Sequence, residues 1–175
     1  MCIRDRKYRG AASLALNGAL ASGTGSVSAF LPHSVSSALW STHPEVLLLG
    51  DLINFPDGSS GFSNVFNEID LKRFDSILLG PGLGIAEEKD CFGADLRDFK
   101  GLLILDADAI NRLSTTSKGW EWLNGRKGPT WLTPHLDEFK RLFPFIDCSN
   151  PLKAGIEAAK ICSSSVLLKL SLIHI

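Results

Sequence analysis

Asp106, Asp108 and Asn111 follow almost directly on the apolar run Leu102-Leu103-Ile104-Leu105. Four consecutive apolar residues read as a strand buried on both faces, the kind a parallel sheet uses. In an open α/β sheet, ligands bind just outside the carboxyl ends of the strands. Two acids and an amide therefore stand where a ligand is expected. Asp108 has an equally good second reading as the N-cap of a short helix through Leu113, because aspartate is a favoured capping residue. That reading suits Asp106 less well, since its carboxylate follows the strand without a gap.

Two further polar turns stand in the same relation to apolar runs. Gly80-Pro81-Gly82-Leu83-Gly84 follows the strand expected over Phe74 to Leu79. Glycines there let backbone amides approach an anion, and a following helix N-terminus favours negative charge. The turn has neither the spacing of a dinucleotide fingerprint nor the Gly-Lys-Ser/Thr of a phosphate loop, so it reads equally as a tight turn. Thr133-Pro134-His135 follows Thr130-Trp131-Leu132 and leads into Leu136, Asp137, Glu138 and Phe139. A lone histidine is more often structural than functional, but its place at a strand's carboxyl end puts it where ligands bind. Glu138 reads as a solvated residue or a cap partner. Lys169 closes the apolar run Val166-Leu167-Leu168 and is either a point charge for phosphate or a snorkelling surface lysine. Gly23-Thr24-Gly25 closes a helix rather than opening one, which makes it a C-cap.

The elements that must position these groups alternate along the chain. Helices are expected over Gly10 to Ser22, His33 to Ser41, Glu87 to Phe99, from Leu136 through Phe143, and over Pro151 to Cys162. In the first and in the last two, apolar residues recur at spacings of three and four. Strands are expected over Val27 to Leu31 (stopped by Pro32), Glu45 to Leu52, Phe74 to Leu79, Leu102 to Leu105, Thr130 to Leu132, and Val166 to Lys169. Within the second, Val46 to Leu49 reads as another buried run. Asn54 to Asn64, rich in Pro, Gly and Ser, reads as a loop. Strands separated by helices or loops at intervals of about 25 residues are the signature of an α/β fold with a mostly parallel sheet.

The chain has 175 residues, 45% hydrophobic and 21% charged, with a net charge of −1. That length suits one domain with a real core. The balanced charge argues against a nucleic-acid or acidic-membrane surface, and no apolar run reaches membrane-span length. Cys2, Cys91, Cys148 and Cys162 are widely spaced. They form neither a zinc motif nor a disulfide framework, which points to a reducing, cytoplasmic setting. Residues 1–6 and 170–175 lack period and turn signals, and are expected to be foreign ends.

Six segments in order resemble one family. They are Tyr8-Arg9-Gly10-Ala11, the alanine-rich helix to Gly25, the Gly80 to Gly84 turn, Leu105-Asp106-Ala107-Asp108-Ala109-Ile110-Asn111, Thr133-Pro134-His135 with Glu138-Phe139, and Leu167-Leu168-Lys169. The family is that of the ADP- or ATP-dependent NAD(P)H-hydrate dehydratases, and the resemblance runs from Lys7 to Lys169. It implies a single ribokinase-like domain over 7–169, a three-layer sandwich with a mostly parallel central sheet, incomplete at its ends. It further implies a metabolite-repair lyase that returns the S form of hydrated NADH or NADPH to NADH or NADPH. ADP or ATP would be consumed with Mg²⁺, releasing AMP or ADP and phosphate. Ala11, Gly82, Gly84 and His135 would contact the hydrate, with Glu138 on the same side. Asp106, Asp108 and Asn111 would line the cleft through Mg²⁺ and water, and Lys169 would begin the nucleotide segment. The family's habit implies a homo-oligomer.

The sequence departs from the family pattern where Leu170 replaces a glycine after Lys169. The Gly-Gly-Thr-Gly-Asp element that supplies the family's presumed catalytic base has no match, so no catalytic residue is assigned and the chain alone is expected to be inactive. A ribokinase-like kinase of thiazole or hydroxymethylpyrimidine alcohols, or a nucleotide-binding domain without catalysis, are the competing readings.

Overall fold

Strands form where the apolar runs stand and helices where apolar residues recur at three and four. The computed structural model describes residues 9–55, 59–62, 65–84 and 92–170. Of the suspected foreign ends, only Leu170 falls within them. Of the helix expected over Glu87 to Phe99, residues 87–91 lie outside them, and the remainder is corrected to a single short helix over Ala94–Asp98, because Gly93 before it is extended. The chain divides into two compact units, one from 1–68 with 81–90 and one from 69–80 with 91–175.

In the first unit, α1 (Arg9–Ala21) leads into β1 (Ser28–Pro32), α2 (His33–Thr42), β2 (Leu47–Asn54), the short β3 (Ser60–Gly61) and α3 (Val65–Glu68). β1 and β2 are parallel, and β3 returns antiparallel to β2 inside the stretch expected to be only loop. Pro32 is the last residue of β1 rather than the one beyond it. A strand end tolerates its missing N–H. Leu16, Leu39 and Val46 close over Ala29 and Leu31 to make this unit's core. The expectation of a buried run over Val46 to Leu49 is corrected: Val46 is buried, but Leu47 is 58% exposed, and Leu48 and Leu49 are exposed too. Along β2 only Leu52 is buried.

In the second unit, a 3₁₀ turn (Leu71–Arg73) precedes β4 (Ser76–Leu79), α4 (Ala94–Asp98) and β5 (Leu102–Leu105). Then come α5 (Asp108–Thr115), α6 (Glu121–Asn124), β6 (Thr130–Leu132), α7 (Leu136–Leu142), α8 (Pro151–Ile161) and β7 (Ser165–Val166). The sheet runs β4-β5-β6-β7, all parallel. Leu79 lies opposite Leu105, Leu105 opposite Leu132, and Leu132 opposite Val166. Every carboxyl end in this sheet therefore opens onto one edge.

The core beneath this edge is built from sheet and helix residues alike. Leu103, Leu105 and Leu132 are fully buried in the sheet, and Ile110, Leu113, Phe139 and Phe143 are fully buried on α5 and around α7. Each such side chain contributes roughly 1.5–3 kcal/mol of burial. At the opposite edge Arg126 ties the strand entries together. It donates to Thr130 Oγ1 at 3.0 Å, to the carbonyls of Gly101 and Pro129 at 3.2 and 3.3 Å, and to that of Leu96, and it lies over the Phe99 ring. Burial pushes its guanidinium down to about 10. Among the described residues no helix is long and apolar enough to cross a membrane.

Candidate functional site at the carboxyl edge of the four-stranded sheet

Asp106 is the first residue past β5, and its backbone is held on all sides. Its N–H donates to the Leu79 carbonyl at 3.1 Å, and its own carbonyl accepts from Ala109 N–H at 3.1 Å. Gly80 lies against that carbonyl with φ of 133°, and a Cβ there would sit 1.7 Å from the Asp106 oxygen. The first glycine of the Gly80 to Gly84 turn is thus required by the close approach of two strand ends.

Ala107, the next residue, has φ 48° and ψ −119°. A side chain in this region costs of order 1–3 kcal/mol, and such strain gathers at functional sites. The sharp turn parts the two acids. Asp106 stays at the sheet edge, while Asp108 is the first residue of α5, where an acid suits the helix dipole. The N-cap reading of Asp108 is corrected: Ala107 holds that position and gives no side-chain cap. Asn111, one turn further, accepts from Arg141 Nη1 at 2.6 Å, which fastens α5 to α7.

Lys169 reaches the same edge from β7. The ladder proper ends at Val166, shorter than the expected strand. Pairing continues, with Leu167 N–H donating to Leu132 O and Lys169 N–H to Pro134 O, both at 2.8 Å. Lys169 thereby bridges to His135. Its ammonium meets Asp106 Oδ1 at 2.6 Å. The lysine side chain is 46% exposed and the aspartate 27%, so this pair joins the ends of β5 and β7 at the solvent boundary. Pairs so placed contribute about 0–1 kcal/mol to stability.

His135 is the N-cap of α7. Its Nδ1 accepts from Asp137 N–H at 3.2 Å and Glu138 N–H at 3.4 Å. Glu138 Oε2 accepts from His135 N–H at 3.0 Å, completing a capping box. The other carboxylate oxygen lies 3.1 Å from His135 Nε2. Glu138 is buried and the histidine side chain half-exposed. Glu138 is thus a cap partner, and a ligand meeting His135 finds the open part of the ring, since both nitrogens are engaged.

The second unit therefore brings Asp106, His135 and Lys169 to one edge, with Asp108, Asn111 and Glu138 in the turns and helices behind. The remaining predicted residues belong to the first unit. Ala11 lies on α1, half-buried. Gly82 and Gly84 have φ of 79° and 73°, and a Cβ on Gly84 would come within 3.1 Å of Ser59 Cα. Sequence reasoning missed the strained Ala107, because alanine carries no signal for positive φ, and missed Arg141, an ordinary surface arginine in sequence. It also missed a polar trio in the first unit: His33 Nδ1 is 2.8 Å from Asp51 Oδ2, and Ser36 Oγ donates to Asp51 Oδ1. Those hydrogen bonds, Ser36 first and His33 second, hold the Asp51 carboxyl below its ordinary value. Among the described residues no three His, Cys, Asp or Glu side chains gather as a metal site. Single carboxylates of this kind suit a Mg²⁺ that arrives on nucleotide phosphates.

A parallel sheet with its polar groups collected along the carboxyl edge defines an α/β protein, and solved structures of the ribokinase-like kind share its fold. A ribokinase-like superfamily protein from Enterococcus faecalis superposes with a TM-score of 0.67 at 22% identity, covering 94% of this chain and 54% of the other. An ADP/ATP-dependent NAD(P)H-hydrate dehydratase from Bacillus subtilis, co-crystallized with ATP/Mg²⁺, gives 0.68 at 24% identity, covering 94% and 55%. The sequence model of the NAD(P)H-hydrate dehydratase family matches residues 4–172. The chain belongs to that family. It is 41% identical over 166 residues to the bifunctional NAD(P)H-hydrate repair enzyme Nnr of Synechocystis sp., and 35% identical over 165 residues to that of Gloeobacter violaceus. These alignments take in 94% of this chain but 30% and 31% of the relatives, so the chain spans about a third of their length.

Proposed function

We propose that this chain forms the substrate-facing part of an NAD(P)H-hydrate dehydratase, returning the S form of hydrated NADH or NADPH to the reduced cofactor with ADP or ATP as phosphoryl donor. The observation that carries the reading is the gathering of Lys169, Asp106 and the His135 turn at one sheet edge, in a chain whose family membership runs through all three. Hydroxide is a poor leaving group. Transfer of the nucleotide's terminal phosphoryl group to the ring oxygen breaks the phosphoanhydride bond, releases AMP or ADP, passes the hydroxyl proton to a base not among the residues assigned here, and leaves a phosphate ester, whose phosphate is a good leaving group. Phosphate then departs with the C–O bond's electrons as the ring double bond reforms and a ring proton is lost. The protein's share of the first step is positioning and charge neutralisation. Lys169 supplies a cation at the edge, and Ala11, Gly82, Gly84 and the exposed part of the His135 ring are assigned to the hydrate. Glu138 acts there through His135, whose ring it orients. The proposal includes Mg²⁺ carried by the nucleotide, with Asp106, Asp108 and Asn111 beside it. It also includes a cytoplasmic setting, in keeping with the free Cys148 and Cys162, and a homo-oligomer, to be checked by light scattering.

The test joins residues 7–169 to the C-terminal segment of the Synechocystis relative and follows recovery of NADPH absorbance from its hydrate with ADP and with ATP. Recovery is the expected result. Phosphorylation of thiazole or hydroxymethylpyrimidine alcohols instead would identify a small-molecule kinase, and hydrate binding without turnover a non-catalytic domain. The 175-residue chain alone is expected to give no turnover.

A further inference from the structure

We propose that Asp106 is a positioning residue for Lys169, holding its ammonium ready at the sheet edge for an anionic phosphate; the inference rests on the nucleotide role proposed for Lys169. Four observations support it. The Asp106 carboxylate meets the ammonium at 2.6 Å, from a residue 63 positions away in sequence. The Asp106 backbone cannot shift to follow the lysine, because Leu79 and Ala109 hold it by hydrogen bonds and Gly80 abuts its carbonyl. Ala107 stands in a strained conformation beside it, so the carboxylate's placement is set by the turn rather than by the ion pair. The Lys169 backbone is equally fixed, by its bond to Pro134 O and its bridge to His135.

Between two fixed backbones the loose parts are the aspartate's two side-chain bonds and the lysine's longer four-carbon stem, and the ion pair holds them together. A free lysine loses much rotamer freedom on binding, and a group already held in its bound geometry avoids that cost at the moment of association. An ammonium has three N–H donors. Asp106 takes one, and the side chain is 46% exposed, which leaves donors open to solvent. Asp106 thus raises anion affinity although its own charge opposes the anion. A competing arrangement, in which Asp106 blocks Lys169 and must be displaced, predicts the opposite sign.

The test is competitive acetylation of the chain joined to the C-terminal segment of the Synechocystis relative, as in the turnover experiment, read lysine by lysine by peptide mass spectrometry, with and without ADP. In the unaltered chain Lys169 is expected to react several-fold more slowly than the exposed Lys140 and Lys153, and to be protected further by ADP. In Asp106→Asn the slow reaction is lost, and the ADP concentration giving half-protection rises about three- to tenfold. Half-protection at lower ADP in Asp106→Asn would overturn positioning in favour of blocking, and an unchanged value would overturn both. ADP binding is also followed by NMR in Lys169→Met. Asp106→Asn should add nothing to that variant's loss, whereas a merely structural aspartate would weaken binding in either background and so overturn the inference. Should Asp106→Asn not fold, Asp106→Glu carries the same comparison, with loss expected beside Lys169 and none beside Met. Failure of both to fold would make Asp106 a fold determinant and also overturn the inference. If ADP neither protects Lys169 nor binds less well to Lys169→Met, the nucleotide role itself falls, whatever Asp106 does.

Discussion

Glu138 decides which nitrogen of His135 carries the hydrogen. His135 Nδ1 accepts two backbone N–H groups, so it is unprotonated, and Nε2 lies 3.1 Å from a carboxylate oxygen that can only accept. The neutral ring is therefore the Nε2–H tautomer, donating to Glu138. ¹⁵N NMR of the labelled imidazole at pH 8 should give a pyrrole-type Nε2 and a pyridine-type Nδ1 for His135. The reverse assignment would contradict the capping geometry.

Glu138→Gln should destabilise the second unit by about 1–3 kcal/mol. The amide keeps one acceptor and turns an NH₂ group towards either His135 N–H or Nε2–H, leaving a buried donor unmet. For a chain of this size that is about 2–4 °C of melting temperature per kcal/mol. His135→Asn keeps a good cap acceptor and frees Glu138 Oε1, so it should cost less than His135→Ala, which also loses the cap, worth about 1 kcal/mol. Thermal unfolding ranks the three.

Gly80→Ala should prevent stable folding of the second unit, or cost upwards of about 3 kcal/mol. The new Cβ would meet the Asp106 carbonyl oxygen at 1.7 Å. Gly119→Ala is the control. Gly119 also has positive φ, 51°, but nothing lies within 4 Å of its Cβ position, so only backbone strain of about 1 kcal/mol is expected. Similar melting temperatures for the two variants would contradict the close approach.

Asp51 makes the first unit acid-sensitive. Its folded carboxyl titrates below the ordinary value of 3.8, so the unfolded chain binds the proton more readily. Its contribution is fully present above that value and is lost as pH falls through the lowered one. Ser36→Ala removes the largest cause and should flatten the loss. The effect should be small, because Asp51 is 42% exposed and screened by solvent. Urea titrations between pH 2.5 and 6, in the range where carboxylates titrate, would compare the slopes, and equal slopes in Ser36→Ala and the unaltered chain would contradict the assignment.

The sheet was legible because its strands carry continuous apolar runs, but the burial on both faces read for Leu102 to Leu105 is corrected: Leu103 and Leu105 are fully buried, whereas Leu102 and Ile104 on the other face are only half-buried. The same rule failed at Leu47 to Leu49, because apolarity states what a residue can bury, not whether a neighbour covers it. Lys169, His135 and Asp106 were legible through their place after strands. That Lys169 would meet Asp106 was not, because the pair depends on the ordering of β5, β6 and β7 side by side. Ala107 was illegible in principle: its conformation is imposed by Gly80, Leu79 and Ala109 around Asp106, and no local preference of alanine announces it.

In the four-stranded sheet, order in space equals order along the chain. Ser76 pairs with Leu102, Leu103 with Thr130, and Trp131 with Ser165, so each strand's partner is the one made just before it. A nascent chain leaving the ribosome can close β4 on β5, then add β6, then β7, without waiting for any later residue. Each closure spans one strand-to-strand unit, which keeps loop entropy modest for a parallel sheet. Of these groups Lys169 is made last, onto an Asp106 already seated, so its place at the polar edge is filled only once β7 has docked.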